Sequence, residues 1–203
     1  MRTIDPTCKI AVLVSGGGTN LQALIDAEKK GEFDHGEITL VASSNPNAYA
    51  LTRAKEASID TFIFETEKEL IEKLIKEEID LIVLAGFLKI LSPDFISEFR
   101  DRIINVHPAL LPSFGGKGCY GIHVHEMALE YGVKVTGATV HFVNEVPDGG
   151  KIIAQKAVYV EEGDTPETLQ KRVMEEAEWV ILPLAVKTLS EIIYDENLRI
   201  LCE

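Results

Sequence analysis

The sequence predicts an α/β fold: a doubly wound, mostly parallel sheet with flanking helices, ending in a late antiparallel strand pair. Three observations predict it. Short apolar runs rich in β-branched residues alternate with stretches of helical spacing as far as Val106, and that alternation favours parallel strands joined by right-handed crossovers. A glycine-rich turn joins the first strand to the first helix. Beyond His107 the texture changes to a glycine-rich loop and two strand-like runs linked by a turn.

Residues 9–14 (KIAVLV) form the first buried strand. Residues 20–30 follow with Leu21, Leu24, Ile25 and Ala27 at helical spacing. Strands are expected at 39–43 and 61–64, with a helix around 48–57 between them. Residues 67–78 make a charged helix with Leu70, Leu74 and Ile75 on its apolar face. Two more buried strands fall at 80–85 and 103–106, and residues 109–121 are loop-like. Residues 138–143 and 151–160 pair through the turn NEVPDGG. A final helix starts at Asp164-Thr-Pro-Glu167, where Asp164 or Thr165 caps, Pro166 fits the first turn and Glu167 closes a capping box. It runs to about Pro183, and a further helical stretch reaches about Tyr194. No repeat, linker or compositional break divides the 203 residues, so one domain (1–203) is expected.

Composition narrows the function classes. Charged residues at 26% and hydrophobic ones at 46% exclude a disordered or coiled-coil chain. Acidic residues outnumber basic ones 33 to 20, a net charge of −13, which argues against nucleic acid or an anionic membrane as partner. A small anion held by local amides stays open. Cys8, Cys119 and Cys202 offer neither a disulfide framework nor a metal-knuckle spacing. No apolar run approaches the roughly 18 residues that span a bilayer, and the N-terminus carries Asp5 and Pro6 in place of a signal core. The expectation is a reduced, cytoplasmic protein.

Three segments carry candidate chemistry. Ser15-Gly16-Gly17-Gly18-Thr19-Asn20 lies between strand and helix, where exposed amides and the helix N-terminus suit a phosphate. It is neither a Walker loop nor the dinucleotide fingerprint, and it equally fits a plain tight turn. Asn105 and His107 end a buried strand two residues apart, so both face one side at the sheet edge where α/β ligands bind. An amide donor and a titratable imidazole suit oxyanion and proton chemistry, although the pair also fits local backbone capping. Asp148-Gly149-Gly150 is by itself a turn; near His107, its carboxylate would raise the histidine pKa. His141 fits a structural role inside a strand, while His123 and His125 beside the glycine-rich loop fit exposed positions.

Taken together, the segments VLVSGGGTNLQALIDA, SSNPNAYALTRAKEASI, LIVLAGFLKILSP, INVHPALLPSF, GVKVTGATVHFVNEVPDGGKIIAQKAV and the helix bearing EAEW resemble the phosphoribosylglycinamide formyltransferases, from about Lys9 to Leu189. The resemblance implies the formyltransferase fold. It places catalysis on Asn105, His107 and Asp148 and the substrate phosphoribosyl group on Gly18, Thr19 and Asn20. It places the folate pterin on the backbone of Leu88, Lys89, Ile90 and Leu91, beside Asn105, and a glycinamide contact on Glu178. Ala109 stands where many relatives carry serine, residues 115–121 make a longer loop than in some, and 64–79 lacks an assignable basic contact to the folate tail.

The implied reaction moves a formyl group from 10-formyltetrahydrofolate, the co-substrate, to the amine of 5-phosphoribosylglycinamide in purine biosynthesis. Asn105 and protonated His107 would stabilise the oxyanion, with Asp148 keeping His107 charged and relaying the amine's proton. Neither a metal nor a nicotinamide is implied; the partners are small molecules, with no nucleic acid and no membrane. The alternatives are a formyltetrahydrofolate hydrolase with the same three residues, a methionyl-tRNA formyltransferase, and a non-catalytic folate- or nucleotide-binding module. The hydrolase would carry an N-terminal regulatory domain and the tRNA enzyme a basic C-terminal one.

Overall fold

In the computed structural model, which describes residues 6–202 and their side chains through residue 199, strands and helices alternate as the sequence predicts. They are β1 (Cys8–Val14), α1 (Thr19–Lys29), β2 (Gly36–Ser43), α2 (Tyr49–Glu56), β3 (Asp60–Ile63), α3 (Glu67–Lys76) and β4 (Leu81–Leu84). After these come α4 (Pro93–Glu98), β5 (Ile103–His107), α5 (Ile122–Tyr131), β6 (Val135–Phe142), β7 (Ile152–Tyr159), α6 (Pro166–Val173) and α7 (Trp179–Cys202), with one π-helical turn at Met174–Glu178 between the last two helices. Asp5 and the side chain of Cys202 lie outside the described residues.

The seven strands form one sheet in the order β3-β2-β1-β4-β5-β6-β7. The first five pair in parallel; β6 and β7 are antiparallel. The winding reverses between β1 and β4, since β2 and β3 step one way and β4 and β5 the other. Such a reversal opens a crevice outside the carboxyl ends of the strands, where open α/β sheets bind ligands.

Side chains alternate across β1 and divide the core in two. Ile10, Val12 and Val14 pack with α1, α2 and α7, while Ala11 and Leu13 pack with α3 and α4. All five are fully buried, so the strand reads as a continuous apolar run.

Several expectations change. β2 starts at Gly36 because the ladder extends down to Cys8↔Gly36. The apolar face of α3 is Leu70, Ile71 and Leu74, whereas Ile75 is 51% exposed. Helices α4 and α5 had no expected counterpart. α6 is capped by Thr165, but Thr168 closes the capping box where Glu167 was expected. The Arg172 guanidinium grips Asp164 at 2.6 and 2.7 Å and holds its carboxyl well below the usual range. Pro183 lies inside α7, so the last helices are not divided there. The irregularity comes earlier, as the π turn.

Candidate active site

The loops after β1 and β4, the end of β5 and the turn between β6 and β7 converge on one cleft of about 580 Å³. Its walls include Thr19, Asn20, Leu88, Lys89, Ile90, Leu91, Asn105, His107, Asp148 and Glu178. Of the residues to which the resemblance assigns a catalytic or binding role, Gly18 is absent from the lining.

Asn105 and His107 occupy alternate positions on β5, opposite His141 and Thr139 of β6. His107 is 4% exposed. Its Nε2 lies 2.8 Å from the Phe114 carbonyl, which only an N–H satisfies, so Nδ1 is left to gain or lose a proton. That nitrogen faces Asp148 Oδ2 at 3.7 Å. The two residues flanking His107 both have left-handed backbones: Phe114 (φ 52°) and Asp148 (φ 55°). Strain of this kind, costing about 1–3 kcal/mol per residue, persists where the surroundings over-determine it.

Asp148 Oδ2 also accepts from the Gly116 amide at 2.8 Å, tying the turn to the 115–121 loop. Burial raises the Asp148 pKa, but His141, the charge of His107 and the Gly116 amide together bring it below the ordinary value. For His107 the influence of Asp148 has the expected direction, but the net shift is opposite to it. Burial is the largest influence and lowers its pKa; Asp148 and the Phe114 carbonyl raise it without overcoming that cost, and His141 lowers it further. A carboxylate at 3.7 Å is weaker than a direct hydrogen bond, whereas desolvation acts on the whole ring.

His141 belongs to the cleft. Its Nδ1 lies 2.8 Å from the Phe142 carbonyl, so Nε2 accepts from Asn105 Nδ2 at 3.2 Å and lies 3.6 Å from Asp148 Oδ1. One N–H of the Asn105 amide is thereby oriented and the other left over. The period-two spacing of Thr139 and His141 on a strand facing Asn105 is the signal that could have found it. His125, expected at the surface, is fully buried; burial lowers its pKa to about 4, with the charge of His107 acting the same way. His123 is exposed and pairs with Glu126. At Ala109 the backbone is what counts: its carbonyl accepts from Thr139 Oγ1 at 2.7 Å.

At the far end, Gly18 has φ 73° and turns its Cα toward α2, where a Cβ would stand 2.6 Å from Ala50 Cβ. Close helix approach explains this glycine, so a Gly18→Val change would disturb α2 and does not isolate ligand contact. No side chain caps α1, which leaves its first amides to other acceptors. Asn20 Nδ2 donates to Glu178 Oε2 at 2.7 Å, and the side-chain Oδ1 of Asn20 has no partner among the described residues. Burial raises the Glu178 pKa, with Asn20 acting against it. The π turn widens the helix here, as such turns often do at functional sites, and brings Met174 and Glu178 to Thr19 and Asn20. Leu88 and Ile90 are 63% and 72% exposed, and the Leu88 amide donates to Ser15 Oγ at 3.0 Å, joining the loops after β1 and β4. Among the described residues no cluster of metal-ligating side chains occurs.

An α/β sheet with this reversal and an Asn, His and Asp converging at its edge defines a class, and the chain belongs to the formyl transferase family, whose pattern matches residues 8–186. Its relatives there include phosphoribosylglycinamide formyltransferases. The Haemophilus influenzae enzyme is 41% identical over 192 residues, covering 90% of this chain and 87% of the relative. The chloroplastic enzyme of Arabidopsis thaliana is 41% identical over 178 residues, covering 83% of this chain, which spans 61% of that relative's length. The crystal structure of glycinamide ribonucleotide transformylase 1 from Symbiobacterium toebii superposes with a TM-score of 0.85 at 38% identity, covering 94% of this chain and 91% of that one.

Proposed function

We propose that this chain, as a single formyltransferase domain, transfers the formyl group of 10-formyltetrahydrofolate to the amine of 5-phosphoribosylglycinamide in purine biosynthesis. The observation that carries this reading is the meeting of Asn105, His107 and Asp148 in one cleft. The neutral amine attacks the formyl carbon, and charge develops on its oxygen. The free N–H of Asn105 is suited to that oxyanion, a contribution of roughly 3–4 kcal/mol for a well-placed donor. Burial, which outweighs Asp148, favours the neutral His107 ring, and its Nδ1 takes up the amine's proton, directly or through Asp148. The imidazolium so formed is stabilised by the Asp148 carboxylate, then gives its Nδ1 proton to the departing folate nitrogen. No bond to the protein forms.

Thr19 and Asn20, with the backbone of Gly18 behind them, serve the phosphoribosyl group, and Glu178 the glycinamide end. The backbone of residues 88–91 serves the pterin. The ligands are small molecules only; nucleic acid and membrane are not partners in this reading, and the cytoplasm is its location. Among the described residues no helix is long and apolar enough to cross a membrane.

An assay of formyl folate consumption with and without the ribonucleotide tests the function. Consumption that requires the ribonucleotide and yields its formyl derivative is expected. Equal consumption without it would identify a hydrolase, and none in either case a binding module. The pterin assignment makes a separate prediction. Lys89 lies over the Phe64 ring with Nζ 5.7 Å from its centroid, a contact worth about 1 kcal/mol at an exposed site. Lys89→Ala therefore changes folate affinity by less than about tenfold. Abolished folate binding, measured by fluorescence titration, would remove backbone recognition from the reading.

Glu178→Gln separates substrate contact from folding. The variant keeps an acceptor for Asn20 and removes a charge that burial disfavours. Its thermal midpoint should be no lower than the parent's, while KM for the ribonucleotide rises about tenfold or more, the loss of one charge-assisted hydrogen bond. An unchanged KM would reduce Glu178 to a structural residue.

A further inference from the structure

Four consecutive carbonyls of the glycine loop are engaged, three by residues of the 45–53 segment and Gly18 by the first turn of α1. Ser15 O accepts from Asn45 Nδ2 at 3.2 Å, Gly16 O from the Ala50 amide at 3.1 Å, Gly18 O from the Gln22 amide at 2.9 Å, and Gly17 O from Arg53 Nε at 2.9 Å. Three are bound by backbone groups or a neutral amide; the fourth is bound by a cation. Arg53 also donates from Nη1 to Gln22 Oε1 at 2.8 Å, a residue in the first turns of α1. The Tyr49 ring lies 5.1 Å from its Cζ. The guanidinium is thus fixed by three contacts and bridges α2, the loop and α1.

We propose that Arg53 is the positioning residue of the phosphate subsite, setting the loop for a phosphate monoester dianion and adding the local positive charge that binding it requires. The inference rests on the phosphate-loop reading under Proposed function. With its carbonyls engaged, the loop leaves its amides as the groups available to an anion, the arrangement of an anion-binding nest. A chain of net charge −13 repels a dianion at long range, and Arg53 reverses that sign at the loop. The planar fork explains why arginine is used: two N–H groups in one plane reach Gly17 and Gln22 together. A lysine ammonium carries the charge but cannot hold both partners in that plane.

Arg53→Gln and Arg53→Lys test this in the full chain. KM for the ribonucleotide should rise about tenfold or more in Arg53→Gln, as losing a charged hydrogen bond implies, with kcat and the folate KM moving much less. Arg53→Lys should recover only part of that loss. Amide NMR of residues 16–20, with inorganic phosphate and then ribonucleotide as probes, supplies the control. Loop amides that fail to shift in the parent chain would overturn the phosphate-loop reading and this inference with it. Loop amides that shift alike in parent and Arg53→Gln, with an unchanged ribonucleotide KM, would overturn the role of Arg53 alone. A rise in both KM values together with a lower thermal midpoint would also overturn it, making Arg53 a general support of the fold.

Discussion

Asp148→Asn should lower the His107 pKa still further below its ordinary value and cut turnover by about 10²–10⁴-fold, the range for a positioned proton-transfer group. The sign follows from the site. Burial already favours the neutral ring, and Asp148 at 3.7 Å is the largest influence favouring imidazolium. Removing that anion leaves the burial cost less opposed, so the ring holds its proton only at lower pH. The residue loses its negative charge but keeps an acceptor for the Gly116 amide, which limits disturbance of the loop. His107→Ala should be of comparable severity. If the two act as a unit, the double variant is little worse than the worse single one. Imidazole NMR titration in both backgrounds and the four rates of the cycle provide the measurement. A His107 pKa at or above 6.5 in the parent, unchanged in Asp148→Asn, with fully additive losses, would show that Asp148 is only a turn residue.

Gly150→Ala should be among the most damaging single methyl additions in the chain. A Cβ at Gly150 would run into the Phe142 carbonyl, which belongs to the strand pair and cannot swing aside as a side chain would. The neighbouring Phe142 amide is bonded to the Lys151 carbonyl at 2.9 Å, so relief must break the end of the β6–β7 ladder. Overpacking typically costs about 1–3 kcal/mol, occasionally more, and each kcal/mol lowers the midpoint of a chain this size by roughly 2–4 °C. Activity should fall with stability, because Asp148 sits two residues away on the same turn. Calorimetry beside an activity assay checks this. A parent-like midpoint would show that the turn has slack.

The strands were the most legible part of the fold. An apolar run such as KIAVLV is buried on both faces wherever it sits in a parallel sheet, so composition alone identifies it. Helices with a signal of their own were also legible: residues 67–78 carry Leu70 and Leu74 one turn apart, with acidic residues at the start. α5 was missed because it follows Gly121 without a side-chain cap. α4 is only six residues long, and its start signal, Ser92-Pro93, lies among loop-like residues. The π turn was invisible because hydrophobic spacing assumes 3.6 residues per turn, and Met174–Glu178 departs from that period.

By itself the sequence determined the doubly wound α/β architecture and the family, and it pointed to Asn105, His107 and Asp148 as the candidate trio, since each depends on residue type and local order along the chain. Only the tertiary structure decided what surrounds them. It brought His141 onto Asn105 through antiparallel register, buried His125, set Glu178 against Asn20 and placed Arg53 behind the glycine loop. It also decided the net sign of the His107 shift, because burial outweighs the raising effect of Asp148 that the sequence anticipated. The physical reason is that a charge partner is implied by a nearby motif, whereas desolvation depends on everything packed around a group, including Phe114 and the 115–121 loop. That packing exists only once distant segments close over the site.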